Sequence, residues 1–378
     1  MLSSSGFSLS YNDYDYDNTN TNHSVHLCNS QCRPCHWAKD KIENKGVGTE
    51  RENDLQNKGM KRIGNIYGKI SSIENLQLAD EKARKGKSRQ PAVMEHDRNR
   101  DEHIVMLNEL LINKEYKTSE YSIFKIYEPK EREIYRLPYY PDRIVHHAIM
   151  NILEPVFVGM FTTDTYSCIK GKGIHGAGRA VQRALKDKPN TQYCLKLDIK
   201  KFYPNIDHDI LKLLLRRKFK DNNLLWLLDE IIDSAPGLPI GNYLSQYLAN
   251  FYLTGFDHWL KEVKGVKYYF RYADDLVFLH QDKLYLHNLL KDIRQYLELE
   301  LRLTVKSNYQ VFPVSARGID FVGYVFYHTH TLLRKTIKKN FARMLKKRRN
   351  RASIASYKGW LKHCNSRNLL KKLLHEKL

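Results

Sequence analysis

Two adjacent aspartates, Asp274 and Asp275, lie between two apolar runs in the segment "RYADDLVFLH" (residues 271–280). Aromatic residues and an alanine dominate the six positions before the pair, and four apolar residues follow it. This pattern predicts a β-hairpin whose strands are buried on both sides of the turn. Two like charges side by side in such a turn repel each other unless cations lie between them, so the pair constrains the fold strongly.

A third carboxylate, Asp198, ends the apolar strand "YCLKL" (residues 193–197). If the predicted hairpin lies beside this strand, its turn brings Asp274 and Asp275 close to Asp198. Hard divalent ions with oxygen ligands, Mg²⁺ above all, bind such a cluster. Two such ions about 3.5–4 Å apart hold both the attacking and the leaving oxygen of a phosphoryl displacement. A lone Asp-Asp pair would instead indicate a solvated turn.

The positive charge of the chain is concentrated at its C-terminal end. The 378 residues carry a formal net charge of +21. Residues 1–59 hold 6 Lys or Arg against 8 Asp or Glu, whereas the 45 residues from Arg334 hold 16 Lys or Arg and one acid. This uneven distribution is typical of a protein that binds a polyanion, and a merely soluble basic surface is the alternative.

Hydrophobic periodicity predicts an ordered core from about Met60 onwards. Helices are predicted over residues 66–78, 102–114, 141–157, 208–219, 223–234, 237–263 (after a glycine-rich turn) and 283–300, and in the basic C-terminal segment. Strands are predicted as a hairpin over 121–140 with a charged turn near Glu131, as the run ending at Asp198, and as a pair over 318–327. Six scattered cysteines suit a reducing cytoplasm, and neither a membrane span nor a secretory signal is expected.

Several motifs together resemble those of reverse transcriptases. "YADDLVF" resembles their Y-x-D-D signature, and "LKLDIKKFYPNID" resembles the preceding palm motif. "GLPIGNYLSQYLANFYL" resembles the motif that cradles the template, and "GIDFVGYVF" resembles the primer-grip hairpin. The motifs occur in the expected order over about residues 100–370. The resemblance implies an α+β right-hand polymerase with fingers, an antiparallel palm sheet and a helical thumb.

The same resemblance implies a division of the chain into four regions. These are an atypical leader (1–59), N-terminal helices and fingers (60–192), the palm with interleaved fingers elements (193–328), and a basic helical thumb (329–378). Because the sequence ends just after the thumb-like segment, we expect no maturase, endonuclease or RNase H region.

The template-cradling motif also indicates a subclass. Group II intron enzymes usually carry Ser-Pro where this chain has Ser245 and Gln246, and the string "IGNxxSQ" resembles reverse transcriptases of diversity-generating retroelements. That resemblance implies cDNA with errors opposite template adenines, a structured template RNA, an RNA–DNA duplex, dNTPs, and a small basic accessory protein that oligomerises. It also implies a bacterial or phage-encoded protein of the cytoplasm. The alternatives are a defence-type or retron-like reverse transcriptase, a catalytically idle RNA-binding scaffold, and a protein-primed terminal transferase.

The resemblance assigns catalytic roles to a few residues. Asp198, Asp274 and the carbonyl of Ile199 are expected to hold two Mg²⁺ ions, for which Mn²⁺ can substitute, with Asp275 in support. Tyr203 is expected to stack beneath the deoxyribose and exclude a 2′-hydroxyl, unless it is an ordinary buried aromatic. Lys306 is expected to protonate the leaving pyrophosphate, unless it is a plain lysine at a strand end.

Substrate and nucleic-acid contacts are also implied. A cation on the fingers hairpin should grip the triphosphate, with Arg132 favoured and Lys130 or Arg136 as alternatives. Gly241 should let the backbone approach the base pair, and Asn250 should either face the template or brace the palm. The template side should be lined by Ile240, Asn242, Ser245 and Gln246. Further nucleic-acid contacts are expected from Lys170, Lys172, Phe321, Gly323, Tyr324, Lys346, Lys347, Arg348, Arg349 and Arg351.

Residues 1–59 fit none of these motifs. The stretch "YNDYDYDNTNTN" (residues 11–22) should be disordered or loop-like, and its codons are of the adenine-rich kind that diversity-generating templates favour. One hypothesis is that this segment is an in-frame reading of template or spacer sequence upstream of a gene that begins at Met60. A disordered natural leader is the alternative. Zinc binding by Cys28, Cys32, Cys35 and His36, whose spacing is cramped for one tetrahedral ion, is a third.

Overall fold

The computed structural model describes residues 62–127, 131–347 and 351–375. Their helices are α1 (Tyr67–Ser71), α2 (Ile73–Ala83), α3 (Pro91–Arg98), α4 (Arg100–Ile112), α5 (Ile144–Met160), α6 (Gly173–Ala184), α7 (His208–Lys218), α8 (Asn222–Asp233), α9 (Tyr243–Tyr252), α10 (Thr254–His258), α11 (Lys283–Leu301), α12 (Val314–Arg317), α13 (Lys335–Lys347), α14 (Arg351–Leu361) and α15 (Arg367–His375). Their strands are β1 (Ser122–Ile126), β2 (Arg132–Arg136), β3 (Tyr193–Asp198), β4 (Tyr268–Tyr272), β5 (Asp275–His280), β6 (Gln310–Pro313), β7 (Ile319–Phe321), β8 (Tyr324–Phe326) and β9 (Thr331–Leu333).

The central element is a four-stranded antiparallel sheet in the order β4-β5-β3-β6, here called the palm sheet. Its strands are mainly apolar because both faces are covered. On one face Leu195 and Leu197 join the larger core, which includes residues of α5, α9 and α11. On the other face Cys194 joins a second core that includes residues of α6 and of the C-terminal sheet. Since side chains alternate along a strand, Lys196 and Asp198 share the face of Cys194.

The predicted fingers hairpin is confirmed. Strands β1 and β2 pair antiparallel from Ser122 opposite Arg136 to Ile126 opposite Arg132. Residues 128–130 of the turn lie outside the described residues.

Two predicted helices are interrupted where a side chain bonds to backbone groups. The periodic segment 66–78 breaks at Ser72, whose side chain accepts a hydrogen bond from the Asn75 amide (3.3 Å) and begins α2. The predicted helix 237–263 is divided into α9, α10 and a π-helical turn, Trp259–Val263. At the break between α9 and α10, Thr254 Oγ1 donates to the Asn250 carbonyl (3.1 Å), a bond that bends helices.

The helix predicted from Pro141 begins three residues later, at Ile144. Tyr139–Arg143 forms a π-helical turn in which Tyr140 has non-helical angles. Asp142 is fully buried and accepts hydrogen bonds from Tyr116 Oη (2.8 Å) and the Ser119 amide (3.1 Å). Its carboxylate therefore fastens the segment that leads into β1.

The C-terminal part contains a three-stranded sheet, β7-β8-β9, followed by helices α13 to α15. The predicted strand pair and the helical character of the basic segment are confirmed. Strand β9 pairs with β8, so the predicted boundary at residues 328/329 passes between two paired strands. The predicted leader, with Cys28, Cys32, Cys35 and His36, lies outside the described residues.

Within the described ranges, no helix has both the length and the apolar composition needed to cross a membrane.

Candidate active site

Asp198 and Asp275 face each other across the two central strands of the palm sheet. Strands β3 and β5 pair antiparallel with Asp198 opposite Asp275 and Leu197 opposite Leu276. Opposed residues in such a pair point to the same face, with their Cβ atoms about 4.5–5.5 Å apart. The hairpin therefore lies beside the strand as the sequence predicts, and the two carboxylates share one face.

Asp274 lies in the turn that joins β4 to β5. Tyr272 is opposite Asp275, so Ala273 and Asp274 form a two-residue hairpin turn. Ala273 has a φ of 52°, in the left-handed region that two-residue hairpins require and that glycine or asparagine usually occupies. The Ile199 amide donates to the Asp274 carbonyl (3.1 Å), which ties the turn to the chain just after Asp198.

Two lysines contact the carboxylates. Lys306 Nζ donates to Asp198 Oδ1, and the Lys306 amide donates to the Asp198 carbonyl (2.9 Å). Lys196 Nζ lies 3.5 Å from Asp275 Oδ2 and also donates to the Asp320 carbonyl. The sequence reading named Lys306 and missed Lys196, although its position two residues before Asp198 on one strand is a usable signal.

The electrostatics of the carboxylates follow from burial and mutual repulsion. Burial, and then the charge of Asp198, raise the pKa of Asp274 to about 6. Burial also raises the pKa of Asp275 to about 6, although Lys196 opposes the increase. Asp275 Oδ1 is buried without a hydrogen-bond partner. Carboxylates that are this costly to ionise need additional positive charge.

This donor set fits divalent cations that the substrate also helps to hold. Among the described residues, no group of three or more His, Cys, Asp or Glu side chains could hold a metal ion by itself, so no closed cluster is present. Mg²⁺ is usually bound by one or two carboxylates together with substrate phosphates, so a closed cluster is not required. The unpartnered Asp275 Oδ1 and the adjacent Asp198 and Asp274 provide the oxygen ligands that such ions prefer.

Tyr203 begins a short 3₁₀ turn, Tyr203–Asn205, five residues after Asp198. Its carbonyl accepts a hydrogen bond from the Leu238 amide (2.9 Å). A Cβ atom on Gly237 would lie 2.5 Å from the same carbonyl oxygen, so the two loops are in close contact. The half-buried Tyr203 side chain is thereby held next to the predicted template-cradling loop.

The same loop places Gly241 against the fingers hairpin. The Tyr135 amide donates to the Ile240 carbonyl (2.9 Å), which joins the loop to strand β2 of the fingers. Gly241 has a φ of 124°, and an added Cβ would lie 2.6 Å from the Tyr135 carbonyl oxygen. The close backbone approach seen here is to the fingers hairpin, and the approach of Gly241 to a base pair stays a prediction.

The residues on either side of Gly241 divide into two groups. Asn242 and Ser245 are 5% and 4% exposed, and Asn242 Nδ2 donates to Tyr121 Oη (3.1 Å). Both residues therefore pack inside the protein in this structure, and their position on the template side stays a prediction. Ile240 and Gln246 are half-buried and keep accessible surface.

The predicted triphosphate-binding cations lie on β2. Arg132 is half-buried near the hairpin tip and Arg136 is exposed at its base. The two are four positions apart on one strand, so both face the same side. Lys130 lies outside the described residues.

The predicted primer-grip residues form an interface with helix α14. Phe321 and Tyr324 are 0% and 1% exposed, and Tyr324 Oη donates to the Trp360 carbonyl (3.0 Å). A Cβ atom on Gly323 would lie 2.4 Å from the Trp360 ring. Tyr324 and Gly323 thus pack against α14 and Phe321 is buried, while the contact of these three residues with a primer stays a prediction.

The predicted basic contacts differ in their surroundings. Lys172 Nζ donates to the carbonyls of Thr162 (3.3 Å), Thr163 (3.1 Å) and Thr165 (3.0 Å), so it stabilises a loop where a nucleic-acid contact was expected. Lys170, Lys346 and Arg351 are exposed. Arg348, Arg349 and the side chain of Lys347 lie outside the described residues.

Sequence reasoning also missed a buried network directly beneath the catalytic turn. Its centre is the ion pair between Arg271 and Asp257, and both residues are 0% exposed. The available signal was Arg271 itself, a charged residue inside an otherwise apolar strand.

This fold and site define a reverse transcriptase. Residues 128–326, more than half of the chain, match the family described as "Reverse transcriptase (RNA-dependent DNA polymerase)", and the chain belongs to that family. The predicted α+β right-hand polymerase fold is confirmed.

Individual relatives are distant. Protein YkfC of Escherichia coli (strain K12) is 25% identical over 56% of this chain and 66% of its own length. The group II intron-encoded protein LtrA of Lactococcus lactis subsp. cremoris is 25% identical over 34% of this chain and 23% of its own. A Candida albicans telomerase, solved with a TWJ fragment of telomeric RNA, covers 61% of this chain and 51% of its own, with 12% identity and a TM-score of 0.45. The chain thus spans less than two thirds of each of these relatives.

Proposed function

We propose that this protein is an RNA-directed DNA polymerase that copies a structured template RNA into cDNA from dNTPs. The observation that carries the proposal is the register of the palm sheet. It sets Asp198 opposite Asp275 and ties the Asp274 carbonyl to the Ile199 amide (3.1 Å). Three carboxylates on one edge of an antiparallel sheet suit phosphoryl transfer, where catalysis consists mainly of positioning and charge stabilisation.

The residues of the site have distinct roles in this proposal. Asp198, Asp274 and the Ile199 carbonyl would hold two Mg²⁺ ions, or Mn²⁺ in their place, with Asp275 beside them. Bound there, such ions lower the pKa of the primer 3′-hydroxyl and stabilise the charge of the leaving pyrophosphate. Lys306, already hydrogen-bonded to Asp198, is placed to protonate the pyrophosphate. Tyr203 lies beneath the incoming deoxyribose and selects dNTP over NTP.

The fingers hold the nucleotide from the other side. Arg132, or Arg136 in its place, binds the triphosphate through charge-assisted hydrogen bonds. The bond from the Tyr135 amide to the Ile240 carbonyl supports this arrangement, because it joins the cation-bearing strand to the template-cradling loop. A nucleotide between Arg132 and Ile240 would thus contact two segments that are already attached to each other.

The proposed subclass is a diversity-generating retroelement. Its supports are the Ser245–Gln246 motif and the accessible, half-buried Ile240 and Gln246 beside the nascent pair. The enzyme would work in a bacterial cytoplasm, encoded by the bacterium or a phage, with a small basic oligomeric accessory protein. Its cDNA would carry errors opposite template adenines, because discrimination between pairs rests on a few kcal/mol at most. A retron-like or defence-type enzyme is the alternative and lacks the adenine bias.

Primer extension tests both levels of this proposal. On a homopolymer RNA template, the full chain should incorporate the complementary dNTP, Asp274→Ala should not, and Asp209→Ala, an exposed acid on α7, should match wild type. Incorporation by Asp274→Ala would refute the site.

On a mixed template, sequencing of the cDNA should show errors concentrated at adenines, and Ile240→Ala or Arg132→Ala should change the error frequency most at adenines. Equal changes at all four bases would refute the subclass.

The thumb carries the proposed duplex contact. Lys346 is exposed on α13, and Lys347, Arg348, Arg349 and Arg351 continue the same basic run. For binding of an RNA–DNA duplex, the logarithm of the binding constant falls linearly with the logarithm of the salt concentration. Replacing all five residues by glutamine should reduce the slope of this line by several units, since each phosphate contact contributes about 0.7–0.9. An unchanged slope would place the duplex elsewhere.

A further inference from the structure

A fully buried charge pair lies beneath the turn that carries Asp274. Arg271 and Asp257 are both 0% exposed. Arg271 Nε donates to both carboxylate oxygens of Asp257, at 2.8 and 3.0 Å. Removing two charges from water is costly, so such a pair persists only where further hydrogen bonds satisfy the remaining donors and acceptors.

Those further bonds come from separate parts of the chain. Tyr269 Oη donates to Asp257 Oδ1 (2.7 Å), and Thr165 Oγ1 donates to Asp257 Oδ2 (2.9 Å). The backbone of Arg271 makes two hydrogen bonds with the loop 164–166. Its amide donates to the Asp164 carbonyl (2.9 Å), and its carbonyl accepts from the Tyr166 amide (3.0 Å). Strand β4, helix α10 and the loop 164–166 are thereby fastened together.

The other end of the guanidinium reaches the catalytic turn. Arg271 Nη1 donates to Asn250 Oδ1 (3.0 Å) and to the Ala273 carbonyl (3.4 Å). Asn250 is itself 2% exposed and anchored, because its Nδ2 donates to the Ser167 carbonyl (2.8 Å). Asn250 therefore braces the palm, which was one of its two predicted roles.

The turn needs such support for a conformational reason. Ala273 has a φ of 52°, which L-amino acids with a Cβ atom rarely adopt. Residues in this region persist where the surrounding structure over-determines them, and they cluster at functional sites. The Ala273 carbonyl immediately precedes Asp274, so a shift of that peptide changes the direction of the Asp274 carboxylate.

We propose that Arg271, held by Asp257 and Asn250, is a positioning residue that fixes the Ala273–Asp274 turn and so orients the Asp274 carboxylate. The inference rests on the proposed polymerase function for its catalytic readout. It adds a link between helix α9, which follows the template-cradling loop, and the catalytic turn. A disturbance at Asn250 is thus transmitted to Asp274 through one guanidinium group.

The test separates positioning from stability by comparing two substitutions in the same network. Asn250→Ala removes the acceptor on the branch of Arg271 that leads to the turn. Tyr269→Phe, the matched control, removes a hydrogen bond to Asp257 on the far side of the ion pair. Both should lower the melting temperature. Only Asn250→Ala should lower kcat for dNTP incorporation, by about 10-fold or more, with the KM for dNTP within about 2-fold, as expected when an interaction specific to the transition state is lost.

Two further measurements make the outcome decisive. Ala273→Gly, which relieves the left-handed strain, should combine non-additively with Asn250→Ala in kcat, because coupled residues deviate from additivity. Mn²⁺ affinity, measured by electron paramagnetic resonance without substrate, should weaken about 5-fold or more in Asn250→Ala and stay within about 2-fold in Tyr269→Phe.

The possible results are distinguishable. If wild type incorporates dNTPs and the two variants lose kcat and Mn²⁺ affinity equally, positioning by Arg271 is refuted while the proposed function stands. If wild type incorporates none, the proposed function fails, and Mn²⁺ affinity alone decides the positioning role: equal affinities in the two variants overturn it, and selective weakening in Asn250→Ala supports it.

Discussion

Two antiparallel hairpins of similar length have opposite environments in this chain. In the palm hairpin, β4–β5, the three middle residues of β4 and the four middle residues of β5 are buried. In the fingers hairpin, β1–β2, four of the five residues of β1 are exposed, with Ile123 at 55% and Phe124 at 40%. The palm hairpin is fixed by β3 and two cores, whereas the fingers hairpin projects from the protein.

Because of this difference in burial, we expect the two hairpins to have different roles in the reaction. The carboxylates of the palm are held in place before any substrate arrives, because burial and the network of Arg271 fix their backbone. The fingers hairpin has few buried contacts, and its attachment includes the bond from the Tyr135 amide to the Ile240 carbonyl. Regions with few buried contacts open most easily. We therefore expect palm substitutions to reduce kcat and fingers substitutions to raise the KM for dNTP.

The largest effect should come from Asp274→Asn in the palm. Loss of a metal-binding carboxylate should reduce incorporation by at least about 1,000-fold, equivalent to ~4 kcal/mol in the activation barrier. RNA affinity should stay within a few-fold, because phosphate contacts elsewhere dominate it. Single-turnover kinetics and filter binding measure the two quantities, with Asp209→Asn as the control. Polymerisation near the wild-type rate would contradict the site.

Substitution of the fingers cations should have the next largest effect. Alanine at the triphosphate-binding arginine should raise the KM for dNTP about 10- to 100-fold, since a hydrogen bond to a charged group contributes about 1.5–3 kcal/mol. Arg132→Ala and Arg136→Ala are matched variants on one face of β2. Steady-state kinetics should show the loss in Arg132→Ala. A larger loss in Arg136→Ala would reassign the contact, and no loss in either would remove the fingers from triphosphate binding.

A smaller effect on the KM for dNTP is expected where strand β2 of the fingers hairpin meets the template-cradling loop. Gly241→Ala brings a Cβ atom to 2.6 Å from the Tyr135 carbonyl oxygen, so the hairpin must shift. The KM for dNTP should rise about 5-fold, equivalent to ~1 kcal/mol. Gly265→Ala is the control, because Gly265 also has a positive φ (62°) but an added Cβ would meet nothing within 4 Å. Equal changes in KM in the two variants would show that strain alone, without displacement of the hairpin, accounts for the effect.

The last prediction concerns stability at acid pH, has the smallest expected effect near neutral pH, and involves His146 on α5. Burial, and then the charge of Arg143, lower the pKa of His146 to about 4. The folded state thus keeps this histidine neutral while the unfolded state protonates it, so its contribution to stability is lost as pH falls below about 6.5. His146→Gln should flatten the pH dependence of urea unfolding by up to about 1.4 kcal/mol per pH unit between about pH 4.5 and 6. An unchanged slope would assign the acid sensitivity to other groups, such as the neighbouring His147.

Local patterns determined much of the site. Alternation and apolar runs were sufficient to predict both hairpins and the strand ending at Asp198, because periodicity along the chain is a local signal. The pairing of that strand with β5 was only a condition of the prediction, and the structure supplied it. Helices α7, α8 and α11 were likewise predicted nearly to their ends, because apolar spacing is a local signal. In the structure, Asp207, Asp221 and Asp282 cap their N-termini.

Tertiary structure decided which surfaces remain open, because burial depends on what a distant segment brings into contact. Gly241 is a glycine that a motif marks as important, but its neighbour is the Tyr135 carbonyl, more than a hundred residues away along the chain. Phe321 and Tyr324 belong to a predicted nucleic-acid hairpin, but both are buried, and Tyr324 is bonded to Trp360 of α14. Arg271 looked like an interruption of an apolar strand until the fold placed Asp257 and Asn250 around its guanidinium. A charge can be buried only where separate elements supply its partners together, and no periodicity along a sequence encodes that arrangement.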